Sequence, residues 1–200
     1  MRVLTLAVIL GTAISLPVIA QTTSSPPASG TQTRPSTAAP SATQSAPAAQ
    51  ANLSAQDLKF VHVAASGGMA EVEAGKTAQQ KATSAAVKDF GRKMVEDHGK
   101  SNEKLMGIAK AKNVSVPGSL GAEHKKMVDD LQATRNADFD RTYMTKMVDA
   151  HKKTVQLMEE QIRAGQDAEL KAFATETLPT VRHHLQMAEG LAKQAQIGQR

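Results

Sequence analysis

The sequence predicts an all-α protein: a bundle of four long helices with an extra connecting helix, preceded by a signal peptide and a disordered linker. Three observations predict it. From Asn52 onward, apolar residues recur with a period near 3.6 over four long stretches. Rings are scarce, with no Trp, one Tyr and four Phe, so a core must come from Leu, Val, Met and Ala, which suit packed helices better than a β-sandwich. There is no Cys, which excludes a disulfide framework and thiol chemistry.

Residues 1–20 read as an address. Arg2 supplies a positive start, Val3 to Ile14 is an apolar run, Pro17 breaks it, and Val18-Ile19-Ala20 offers the short side chains that a signal peptidase reads. The run is short for a membrane span, which takes about 20 apolar residues. Cleavage before Gln21 is expected; an uncleaved anchor is the alternative. Gln21 in place of Cys excludes lipoprotein processing. Residues 21–51 are Ser, Thr, Pro, Ala and Gln with one glycine, Gly30, and a single charge, Arg34. Such a segment cannot bury enough apolar surface to offset its ordering entropy, so it is expected to be a disordered linker. As a flexible coil it has an r.m.s. span of about 30 Å.

The domain expected over residues 52–200 begins at Ser54, an N-cap with Asp57 three residues on. The first helix runs to about Lys81, with Phe60, Ala64, Gly68, Glu71, Gly75 and Ala78 on one stripe. Ser84 is placed to cap the second, whose stripe is Val87, Phe90, Met94, Asp97 or His98, Ser101, Leu105 and Ile108. Asn113 to Gly118 ends it, and a connecting helix follows over roughly 120–134 with Met127, Val128 and Leu131. The third long helix starts near Asn136 or Asp138 and carries Tyr143, Met147, His151, Val155, Met158 and Ile162 before Gly165 stops it. The fourth starts near Asp167 and carries Leu170, Phe173, Thr177, Val181, His184, Ala188 and Leu191, with Pro179 inside it and expected to kink it. An internal echo, Lys93-Met94-Val95-Glu96-Asp97-His98 against Lys146-Met147-Val148-Asp149-Ala150-His151, with Phe90 matching Tyr143, suggests two related hairpins.

What interrupts the stripes carries the chemistry. Each long helix places one ionisable residue on its inward seam: Glu71, then Asp97 or His98, then His151, then His184. Counted from the two hairpin turns, the depths of each pair differ by roughly 6 Å, within reach of long side chains. Four such groups at one depth point to a metal site; a purely structural layer of hydrogen-bonded polar groups is the alternative. Di-iron bundles use Glu-x-x-His pairs, but Val95, Val148 and Val181 stand three residues before the candidate histidines. A His-rich set with one or two carboxylates suits Zn(II), Cu(II) or Ni(II) better than two irons. His62 and His124 fall off the stripes and are expected to be solvated, and His183 points away from His184. Asp140 and Tyr143 are candidates to join the buried layer, with Asp138 or Asp140 as a cap the alternative, and most of the nine Met are at core spacing.

Other functions find no support. No phosphate loop, nucleophile elbow or zinc-protease signature is present, so a classical enzyme active site is not expected. The 24 basic and 19 acidic residues are interleaved along the helices, without the basic stripe or aromatic platform of a nucleic-acid binder. No membrane-spanning segment is expected after the signal, although association with the cell envelope is.

From Phe60 to Ala188 the sequence resembles the exported bacterial domain-of-unknown-function family numbered 4142. The matching pieces are Glu71-Val72-Glu73 with Gly75-Lys76 and Ala78, Met94-Val95 before Asp97-His98, and Phe139-Asp140 before Tyr143. Met147-Val148 before His151 and Leu178-Pro179 before His184-Leu185 complete the set. The resemblance implies a ferritin-like four-helix bundle in the periplasm or outer envelope, and no established activity. The expectation is an envelope protein holding a divalent metal through Glu71, Asp97, His98, His151 and His184, with a non-catalytic structural or interaction module as the alternative.

Overall fold

A computed structural model describes residues 53–116 and 118–197; the expected signal peptide, the whole of the expected linker and Pro117 lie outside the described residues. Among the described residues the protein is entirely helical: α1 (Ala55–Lys81), α2 (Ala85–Ala111), α3 (Ala122–Ala133), α4 (Asn136–Ala164) and α5 (Ala168–Ile197). None of these helices is long and apolar enough to cross a membrane.

The four long helices pack as two hairpins. α1 lies on α2 and α4 on α5, and the hairpins meet through α1 with α4 and α2 with α5. The contacts of Phe90 with Tyr143 and of His98 with His151 pair equivalent turns of α2 and α4 in the same order, so these two helices run in the same direction. A short turn cannot join parallel helices, so the chain returns along the bundle through α3, which buries Val128 and Leu131. The internal echo thus lies on α2 and α4, whose matched faces meet in the core.

Close approach of α1 and α2 rests on two glycines. A Cβ on Gly75 would stand 2.6 Å from the Gly91 carbonyl oxygen, and one on Gly91 would stand 2.8 Å from the Ala78 Cβ. The helices therefore touch backbone to backbone at this level. Two core clusters fill the bundle on either side of the polar layer. One gathers Phe90, Met94, Leu131, Phe139, Tyr143, Met144 and Met147; the other gathers Phe60, Leu105, Ile108, Met158, Leu170 and Phe173.

The helix ends differ in part from expectation. Ser54 caps α1 as expected, accepting from the Asp57 N–H at 3.1 Å. Ser84 is the N-cap residue of α2, but its side chain makes no capping bond. Asp140 serves instead, accepting from the Thr83 N–H at 3.0 Å and the Ser84 N–H at 2.8 Å. It therefore caps neither its own helix nor joins the buried layer; a carboxylate from a neighbouring helix wins because it carries charge to the positive end of α2. Asn113 adopts φ 57°, and the Val114 N–H reaches the Ala109 carbonyl at 2.9 Å, closing α2 with a left-handed cap. Asp167 caps α5 through the N–H groups of Glu169 and Leu170. α5 runs uninterrupted through Pro179, whose ring is on the exposed face, where the carbonyl it leaves free can turn to water.

Candidate metal centre

Glu71, His98, His151 and His184 come together in the middle of the bundle, one from each long helix, at 2 %, 7 %, 0 % and 1 % exposure. The three rings form a nearly equilateral triangle. Centroid separations are 5.5 Å for His98–His151, 5.4 Å for His98–His184 and 5.6 Å for His151–His184. One ring nitrogen from each lies within 4.8 Å of one from the other two. This follows from helical geometry: each histidine continues the inward seam of its helix four residues after a core residue or three after Val181, so the rings arrive at one depth.

Each imidazole has one nitrogen engaged and one free. His98 Nδ1 meets Glu71 Oε2 at 3.0 Å. His151 Nδ1 meets the Met147 carbonyl at 2.9 Å, one turn back on its own helix. His184 Nε2 meets Asp97 Oδ2 at 2.9 Å. Carboxylates and carbonyls only accept, so the engaged nitrogens carry the protons and donate them. The opposite nitrogens, His98 Nε2, His151 Nε2 and His184 Nδ1, are buried without a hydrogen-bond partner; Glu71 Oε1, also without one, stands 3.6 Å from His151 Nδ1. An acceptor behind each ring and a free nitrogen in front is the arrangement that orients histidines toward a metal.

Electrostatics agree with this picture. Burial alone would raise the Glu71 carboxyl, but the charge and hydrogen bond of His98, helped by His151 and His184, hold it at about 2. Burial works against a charged His98, yet Glu71 outweighs it and raises its pKa above the usual value. Burial lowers His151. His184 is pushed down to about 4, by burial first and then by the charge of His98. Without a cation, then, the cluster holds one ionised carboxylate, two neutral imidazoles and one that takes up a proton readily. Beneath the rings lies an apolar floor: Phe90 stands 6.3 Å from His151 and 6.4 Å from His184 between centroids. Tyr143 is buried beside it with its hydroxyl unpartnered, its pKa raised by burial and then by the Glu71 charge.

Asp97 and His98 do not exclude one another. His98 faces inward, and Asp97, with 26 % of its side chain exposed, reaches round to hold His184 with Oδ2, which Lys93 also contacts at 3.4 Å. The geometry therefore sets Asp97 behind an imidazole rather than in front of it. His62 and His124, expected to be solvated, both make tertiary contacts: His124 with the Ser66 hydroxyl at 2.7 Å and His62 with the Ser115 carbonyl at 3.2 Å. They tie α3 and the loop before it to α1. Sequence reasoning missed Asn102, which is 8 % exposed and buried one turn beyond His98. The spacing Met94, His98, Asn102 was the available signal.

Fold and cluster define a class: an all-helical bundle with a buried three-histidine cluster backed by carboxylates. The chain belongs to the family described as Domain of unknown function (DUF4142), whose model matches residues 42–191. No curated protein matches the sequence. Among solved structures, a DUF305 fragment from Deinococcus radiodurans superposes with a TM-score of 0.62 at 13 % identity, covering 71 % of this chain and 98 % of that one. At that identity the likeness concerns the fold alone.

Proposed function

We propose that this protein binds one divalent cation through His98, His151 and His184, in an exported ferritin-like bundle of the periplasm or cell envelope. The observation that carries the reading is the set of buried, unpartnered nitrogens on three rings whose other nitrogens are each held by an acceptor. Leaving such groups unsatisfied costs about 1–3 kcal/mol each, and a cation satisfies all of them at once. Zinc bonds to histidine nitrogen at about 2.0–2.1 Å, so tetrahedral binding needs nitrogens roughly 3.3 Å apart. One nitrogen of each ring lies within 4.8 Å of one from each of the others, so metal binding needs the side chains to draw closer.

Charge supports a cation. Glu71 places one buried negative charge beside three imidazoles, while Asp97, partly exposed, is already paired with Lys93. The single inward carboxylate and the lack of Glu-x-x-His pairs favour Zn(II), Cu(II) or Ni(II) over a di-iron centre. Export rests on the Arg2 to Ala20 segment and predicts a mature chain beginning at Gln21, read by intact mass of the exported protein; retention of Met1 to Ala20 would replace it with an anchored form.

The test compares melting temperatures of untagged protein with and without a chelator, and with added Zn(II), Cu(II) or Ni(II). At metal concentrations of about 100 Kd the cation should contribute about 2.7 kcal/mol. His151→Ala should abolish the metal-dependent shift. If the layer is only structural, His151→Ala lowers stability and neither protein responds to metal or chelator.

A further inference from the structure

A cavity of about 980 Å³ runs along one side of the bundle and reaches the cluster at Glu71 and His98, while His151 and His184 lie outside its lining. A cation held by three histidines keeps a fourth position, and the cavity meets the cluster on the side of Glu71 and His98. Asn102 also lines the cavity, four residues after His98 and so one turn along the same face of α2. Its side chain makes no hydrogen bond to another described residue, although the residue is 8 % exposed. Across from it stands Gly68, three residues before Glu71. A Cβ on Gly68 would collide with the Asn102 amide. Glycine inside a helix costs about 1 kcal/mol relative to alanine, and no turn or unusual backbone angle at Gly68 calls for it. What it provides is room for a polar amide beside the cluster.

We propose that the cavity side of the cluster is a binding position for a small exchangeable anion on the metal, with Asn102 as its positioning residue and Gly68 as the gap that admits the Asn102 amide. This rests on the three-histidine metal reading above. With Asp97 paired to Lys93, a dication on three neutral imidazoles beside the Glu71 carboxylate keeps one net positive charge for a monoanion, and the amide supplies a donor that holds it through one hydrogen bond. Glu71 Oε1 is the competing occupant: if it turns to the metal, the position is closed.

The experiment uses the full mature chain loaded with Co(II), a visible stand-in for Zn(II), and azide as the probe anion. Loading is read first from cobalt content and the visible spectrum, before azide is added. Azide should then change the Co(II) bands saturably. Asn102→Ala should keep the cobalt stoichiometry and weaken azide binding about ten- to hundredfold, the loss of one hydrogen bond to a charged group. Gly68→Ala should weaken azide similarly by displacing the Asn102 amide. A purely structural Asn102 would change melting temperature and leave azide affinity untouched, which overturns its role. Cobalt bands that ignore azide overturn the open position and leave the metal reading standing. Failure to take up cobalt sinks both at the first step.

Discussion

Glu71→Gln removes one negative charge from the centre of the bundle while keeping its shape, so it isolates the electrostatic part of the cluster. Glu71 is 2 % exposed, so solvent does not screen the contact. Its carboxyl falls from 4.5 to about 2 in the folded protein. At about 1.4 kcal/mol per pH unit, that gap is worth roughly 3 kcal/mol. A folded pKa below the unfolded one stabilises the protein fully above 4.5, and the effect fades as pH falls through about 2. Near pH 3 about 1 kcal/mol should remain. The same contact raises His98, so its share is present below the unfolded value of 6.5 and is lost as pH rises through the raised one. The pair is one interaction and is counted once. His184, pushed down to about 4, weakens both proteins on acidification. Urea unfolding of chelator-treated protein should therefore show Glu71→Gln less stable by about 3 kcal/mol near pH 6 and by about 1 kcal/mol near pH 3. A gap below about 0.5 kcal/mol near pH 6, or one that widens on acidification, would refute the reasoning.

Gly75→Ala should destabilise the bundle by about 1–3 kcal/mol, because the new Cβ meets the Gly91 backbone, and the melting temperature should fall by several degrees. Asp140→Ala should cost about 1 kcal/mol through the lost clasp on the start of α2, whereas Ser84→Ala should be nearly neutral in the same thermal melt. Asp57 is fully buried and accepts from the Ser54 hydroxyl, the Gln161 amide and the Gln166 and Asp167 N–H groups; Asp57→Asn should cost about 1–3 kcal/mol in urea unfolding at neutral pH. Burial opposes ionisation there, but these hydrogen bonds lower its pKa, so its contribution is present above 3.8 and is lost as pH falls through the lower folded value.

Much of this was legible in the sequence because it depends on local periods. The long helices follow from the 3.6-residue recurrence, and the cluster follows from ionisable residues breaking apolar stripes at matched depths. Which residue of the Asp97–His98 pair serves was not legible, since Asp97 acts on His184 from another helix and that contact spans 87 residues of sequence. Asn102 was hidden by placing Ser101 on the stripe: steps of four from Met94 through His98 reach Asn102, and over a long helix a one-residue choice turns the face by about 100°. The cap of α2 by Asp140 and the burial of Asp57 against Gln161 are likewise tertiary, joining residues 56 and 104 positions apart. No local pattern encodes such partners. Free and engaged ring nitrogens, the feature that most favours a metal, emerge only when acceptors from separate turns are in place.

The account turns on three histidines sharing one cation. The most direct measurement is the metal content of the mature, untagged protein after reconstitution and desalting, beside a His98→Ala, His151→Ala, His184→Ala triple variant that remains helical by circular dichroism. The account predicts one divalent ion per wild-type chain and none retained by the variant. Equal metal content in the two proteins, or none in the wild type at micromolar Zn(II), Cu(II) and Ni(II), would contradict it.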